Sequence, residues 1–115
     1  MSASRSAAAR LQDAAPVFAA LGDPTRLRLV TRLCAEGPLS ITQLAAGSDV
    51  SRQAVTKHLN ALAGAGLAHY ERRGRELIWE LEPRRLEMAR RYLDRISDQW
   101  DVAIDRLRAL VEDAP

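Results

Sequence analysis

The chain has 115 residues, of which 47% are hydrophobic and 28% charged, and its formal net charge is only +2. That length supports one domain with a modest core, and the apolar fraction excludes a disordered polyelectrolyte. No apolar run is long enough to span a bilayer, and the opening MSASRSAAAR lacks the apolar centre of a signal peptide, so a cytoplasmic protein without a membrane partner is expected.

Residues 1–10 are expected to form a flexible terminus ahead of one folded domain over residues 11–112. Residues 7–21 predict a helix with Leu11, Ala14, Phe18 and Leu21 on one stripe; Pro16, which suits a first helical turn, offers a second starting point. Asp23-Pro24 then supplies a cap residue followed by proline at the first helical position. Leu27, Val30, Leu33 and Cys34 form the inward face of this second helix, up to Gly37-Pro38. Cys34 is the only cysteine, which excludes an intrachain disulfide and a multi-cysteine zinc site. On an apolar face it reads as an inert core thiol; a redox switch would need a stabilised thiolate.

Ser40 and Gln43 have the spacing of a capping box and start a third helix. Ser51 starts a fourth, with Val50 and Val55 placed as a hydrophobic staple around the cap. Along it Val55, Leu59 and Leu62 recur at helical spacing and face inward, which leaves Arg52, Gln53, Thr56, Lys57 and Asn60 on other faces. These are groove-reading types: Arg and Lys donate to guanine or phosphate, Gln pairs with adenine, and the Thr methyl meets thymine. Gln53, Thr56 and Lys57 are the expected groove contacts, and Ser51 and Arg52 the contacts at the helix start. His58 reads either as a further DNA contact, to phosphate, or as a hydrogen-bonding group inside the domain.

Gly64 and Gly66 are two candidate terminators of that helix. Residues 67–72 and 76–81 predict strands around an Arg73-Gly74-Arg75 tip, with Leu77, Trp79 and Leu81 alternating onto one face that packs on the helices. His69 reads as a plain strand residue. Arg72, Arg73 and Arg75 suit phosphate or a narrow minor groove. Between residues 50 and 75 five cationic side chains stand against Glu71 alone, a local charge of +4 that exceeds the total for the chain.

Residues 83–111 carry Leu86, Ala89, Leu93, Ile96, Trp100, Ala103, Leu107 and Leu110 at alternating steps of three and four. Such a helix is roughly 40 Å long, about three times the ~13 Å gyration radius of a domain this size. One small domain cannot cover it. The stripe therefore predicts a homodimer, with Phe18, Leu86, Leu93, Ile96, Trp100 and Leu107 at the interface. In that seam Tyr92 and Trp100 read as packing residues, with a ligand pocket between subunits as the alternative. Asp94, Asp98, Asp101 and Asp105 read as a solvated face paired with Arg91, Arg95 and Arg108, with a hard-cation site as the alternative.

Taken in order, Leu21-Gly22-Asp23-Pro24-Thr25-Arg26, Leu44-Ala45, SRQAVTKHL over residues 51–59, Ala65-Gly66-Leu67 and the charged hairpin resemble the ArsR/SmtB family of winged helix-turn-helix repressors. The resemblance implies a mainly α fold with a small β-hairpin: five helices, a wing between the fourth and fifth, and dimerisation through the terminal helices. It also implies a sequence-specific DNA-binding regulator, a homodimeric repressor that meets double-stranded DNA through helix 51–64 and wing 67–81 on a palindromic operator. Members that sense metals use cysteines near the start of the third helix, or His and carboxylate ligands on the last. Here Leu39-Ser40-Ile41-Thr42 offers hydroxyls instead of thiolates and the last helix has no histidine, so no metal and no cofactor are expected, and no effector is assigned. The turn before the fourth helix departs from the family's frequent Leu-Gly by carrying Ser48-Asp49, where Asp tolerates a left-handed backbone.

Other readings are a winged-helix module that binds an acidic protein without specific DNA binding, and a thiol-responsive repressor acting through Cys34. An enzyme is not expected, because no nucleophile is paired with a base and no phosphate-binding glycine loop or metal triad is present.

Overall fold

Side chains that bond back to the backbone fix where the helices begin. In the computed structural model, which describes the backbone of residues 3–113 and the side chains of residues 10–113, the order is α1 (Ala3–Leu21), α2 (Pro24–Glu36), β1 (Leu39–Ser40), α3 (Ile41–Ala45), α4 (Arg52–Gly64), β2 (Ala68–Arg73), β3 (Glu76–Leu81) and α5 (Pro83–Glu112). Asp23 caps α2, its carboxylate accepting the Arg26 N–H at 3.0 Å with Pro24 in the first turn. That hydrogen bond holds the Asp23 carboxyl below its usual range, against the opposing effect of partial desolvation. Ser51 Oγ accepts the Ala54 N–H at 3.1 Å and starts α4.

The box at α3 is reciprocal. Ser40 Oγ accepts the Gln43 N–H at 3.1 Å, and Gln43 Oε1 accepts the Ser40 N–H at 2.9 Å. Ser40→Ala removes the acceptor of the Gln43 N–H and breaks the box. The expected cost is about 1 to 2 kcal/mol, read as a lower denaturation midpoint at unchanged slope.

Several expectations are corrected. The first helix starts at Ala3 rather than residue 7 and runs through Pro16, which lies on its exposed side, where water can take the carbonyl that the missing N–H leaves unpaired. Its buried face is Ala14, Val17 and Ala20, while Leu11 is 51% exposed. On α2 the buried residues are Leu29, Val30 and Leu33; Leu27 is half exposed and Cys34 is exposed, so the core-thiol reading does not hold. Two apolar stripes overlap on α2, and only the arc that meets α4 and β3 is covered. Before α4, the left-handed residue is Gly47 at φ 74°, not Asp49, and no non-glycine residue has positive φ among those described.

The end of α4 is set by Gly66 rather than Gly64. Gly66 N–H donates to Ala63 O at 2.9 Å and Leu67 N–H to Leu62 O at 3.0 Å, the paired bonds of a Schellman motif with Gly66 at φ 77°. Its apolar partners Leu62 and Leu67 are both fully buried. This places the wing's first residue, Ala68, directly on the core.

The sheet is antiparallel with order β1-β3-β2. β1, absent from the sequence-based expectation, is too short for periodicity to reveal; it joins Leu39 to Trp79 and Ser40 to Ile78. The β2–β3 register runs from Ala68 opposite Leu81 to Arg73 opposite Glu76, around a two-residue turn with Gly74 at φ 63°. Trp79, 1% exposed, anchors the sheet on the helices beside Val55, Leu59 and Leu62 in one continuous core.

α5 splits into two parts. Near its start Ala89 is buried, Leu86 and Met88 pack on the core, and Tyr92 meets Phe18 with ring centroids 6.0 Å apart. Further on, Leu93, Trp100, Leu107 and Leu110 are 52%, 60%, 61% and 69% exposed. The helix thus projects, giving extents of 69 × 39 × 20 Å and a gyration radius of 19.0 Å.

Candidate nucleic-acid interface

α3, the Gly47 turn and α4 form a helix-turn-helix whose inner faces are sealed by Leu44, Val55, Leu59 and Leu62. Burial of that stripe rotates Gln53, Lys57 and Asn60, at i, i+4 and i+7, to the exposed side of α4. Arg52 leans toward α3, its Nη1 donating to Thr42 Oγ1 at 3.3 Å. Thr56 is half-buried and gives its hydroxyl proton to the Arg52 carbonyl at 3.0 Å. Ser51 uses its oxygen as the cap acceptor, which leaves its own proton available to an outside acceptor.

His58 is placed differently from the rest. Its Nδ1 lies 3.7 Å from Asp23 Oδ2 and 3.5 Å from Arg26 Nη1, so it joins α4 to the α1–α2 corner and is turned away from Gln53 and Lys57. Of its two sequence readings, the hydrogen-bonding group inside the domain is the one these contacts favour. Arg26 also donates from Nε to Ala20 O at 2.6 Å, tying the end of α1 into the same corner. His69 lies on the exposed face of the wing, 2.7 Å from Glu80.

On the wing, Arg72, Arg73 and Arg75 are exposed. Arg73 has Glu71 at 3.6 Å, but both side chains are about two-thirds exposed, where an ion pair holds little. Arg72 and Arg75 meet Arg52 across a cleft of about 230 Å³ that Ser40, Thr42 and Glu76 also line. The fold therefore brings the start of α4 and the wing to one cationic surface. Thr42 was not singled out by its sequence pattern, and neither was Arg32, which donates from Nη1 to Gln43 O at 3.0 Å and holds the end of α3 while paired with Glu36 at 2.8 Å.

Among the described residues no group of His, Cys, Asp and Glu is arranged to hold a metal, and no helix is long and apolar enough to cross a membrane. What the surface offers is a set of hydrogen-bond donors and positive charge on a rigid support.

Comparison with known proteins agrees with this architecture. Residues 21–71 match a family described as a helix-turn-helix domain. The chain is 38% identical over 93 residues to the HTH-type transcriptional regulator Rv2034 of Mycobacterium tuberculosis, covering 81% of this chain and 83% of that protein. The structure of an ArsR-like transcriptional regulator from Rhodococcus sp. RHA1 matches with a TM-score of 0.71 at 36% identity, over 90% of this chain and 97% of that one. The homodimeric winged helix-turn-helix DNA-binding domain of Mb0332 from Mycobacterium bovis, at 24% identity, shares the fold with a TM-score of 0.58 over 85% of this chain and 83% of that one. These relatives are regulators rather than enzymes. With its helix-turn-helix, its three-stranded wing and this similarity along most of its length, the chain belongs to the ArsR/SmtB family of winged helix-turn-helix, DNA-binding transcriptional repressors.

Proposed function

We propose that the protein acts in the cytoplasm as a homodimeric repressor on a palindromic operator, with no metal and no catalytic step. α4 lies in the major groove, where Gln53, Thr56 and Lys57 meet base edges and Ser51 and Arg52 meet phosphate or base edges at the helix start. Arg72, Arg73 and Arg75 follow the adjacent backbone or minor groove. The observation that carries this reading is the exposed Gln53–Lys57 face set beside the Arg52–Arg72–Arg75 cleft, so that helix and wing approach one duplex together. The bare stripe of α5 supports the dimer, and Mb0332 is homodimeric. Two copies would present their α4 helices to half-sites about one helical turn apart.

Selection of genomic fragments gives the operator, and fluorescence anisotropy against it at several salt concentrations tests the contacts. Lys57→Ala is expected to lose about 1 to 3 kcal/mol on the operator, with a smaller loss on random duplex. Arg73→Ala is expected to weaken binding to both and to lower the salt slope by about one. Full affinity in the double variant rejects the assignment, and absence of any salt-sensitive DNA binding would favour a protein partner for the cationic face.

A further inference from the structure

We propose that the groove between α1 and α5 is a binding site for a small organic anion with a flat apolar body, such as an aromatic phosphate or carboxylate. The groove has a volume of about 480 Å³, within the ~300–1,000 Å³ typical of small-molecule sites. Its apolar floor is Met88 and Tyr92, and the Tyr92 ring is held in place by Phe18. Around that floor stand Arg10, Arg84, Arg91 and Arg95, with Glu87 the sole carboxylate among the lining residues.

Four arginines against one carboxylate leave the lining of the groove with an excess of positive charge, and like charges along one groove repel one another. Glu87 is engaged with Arg91 at 3.4 Å and with Arg90 at 3.8 Å, while Arg10, Arg84 and Arg95 form no salt bridge with any carboxylate among the described residues. An anion relieves that repulsion, and planar guanidinium groups match carboxylate or phosphate through paired hydrogen bonds. Arg84 lies in the first turn of α5, where the helix dipole adds positive potential. The floor explains why a bare inorganic ion is not the best occupant: Met88 and Tyr92 give a ring something to pack on.

The site is separate from the DNA-facing surface and from the bare stripe of α5. Arg91 and Arg95 sit roughly 160° around the helix from Leu93, so a partner laid along Leu93, Trp100 and Leu107 lies on the side of α5 away from these arginines. The site does not depend on the proposed operator contacts.

The test is calorimetric titration of the full chain, without DNA, with 1-naphthyl phosphate as probe and with 1-naphthol and inorganic phosphate as its two halves. Saturable binding of one probe per chain is expected, with each half at least about tenfold weaker because either the charge or the ring contact is lost. Arg84→Gln with Arg95→Gln is expected to weaken the probe by about tenfold or more, and Glu87→Gln, which removes the competing carboxylate, to tighten it. The Glu87→Gln arm keeps the test decisive should the double variant unfold. No saturable binding, equal binding of 1-naphthol, or unchanged affinity in the variants would overturn the site. Because no DNA is present, such a failure leaves the operator reading standing, and loss of operator binding in separate experiments leaves the groove standing.

Discussion

Trp100→Asp is expected to turn the protein into a monomer and to lower operator affinity by on the order of a hundredfold or more, since one chain then holds one half-site without the effective concentration that its tethered copy supplies. Trp100 is 60% exposed on a stripe whose neighbours Leu93 and Leu107 are equally bare, so its ring has nothing to pack on within its own chain. A tryptophan carries about 150 to 250 Å² of surface, and in a two-fold seam it is buried twice. An aspartate at that position costs several kcal/mol per copy if the seam closes over it unpaired, which outweighs what the remaining aliphatic contacts offer. The distal half of α5 makes no part of the core, so the helix-turn-helix itself should keep its far-ultraviolet circular dichroism. Sedimentation equilibrium reads the assembly and anisotropy reads the operator. A W100D protein that still sediments as a dimer would move the interface away from this stripe.

The features legible in the sequence are those whose physics is local. Asp23, Ser40 and Ser51 cap helices through bonds to residues three positions ahead, so residue type and spacing sufficed, and all three bonds form. The long α5 stripe was legible because its period persists over many turns. Where the outcome depends on segments distant in sequence, the pattern gave no direction. Cys34 and Leu27 fit an apolar face as well as Leu29 does, and only the docking of α4 and β3 decides which arc is covered. His58 meets Asp23 across 35 positions, an encounter no local spacing encodes. Thr42 meets Arg52 because the Gly47 turn folds α3 against α4, and β1 exists only because Trp79 brings β3 beside Leu39. The candidate site is therefore half legible: which faces are cationic could be read, but which of their members are drawn inward could not.

The second large effect concerns the residue that fastens the wing. Trp79 is buried opposite Tyr70, with ring centroids 5.0 Å apart, and pairs with Leu39 across the sheet. Trp79→Ala removes the largest fully buried side chain and is expected to cost about 3 to 5 kcal/mol, or roughly 10 to 25 °C in unfolding midpoint. Trp79→Phe should behave quite differently. It gives up the smaller part of the ring system, a loss of about 1 to 2 kcal/mol, but it also removes an indole Nε1–H that is buried without a hydrogen-bond partner among the described residues. An orphaned donor costs about 1 to 3 kcal/mol, so the two effects oppose each other and the phenylalanine variant should lie within about 1 kcal/mol of the parent. Urea denaturation at constant slope reads both variants. If W79F falls by about 2 kcal/mol or more, the indole N–H is satisfied in solution and its removal brings no compensating gain. If W79F instead matches the parent while W79A falls, the wing is held by the aromatic body packed between sheet and helices, and its arginines keep their approach to the start of α4 only as long as that body is present.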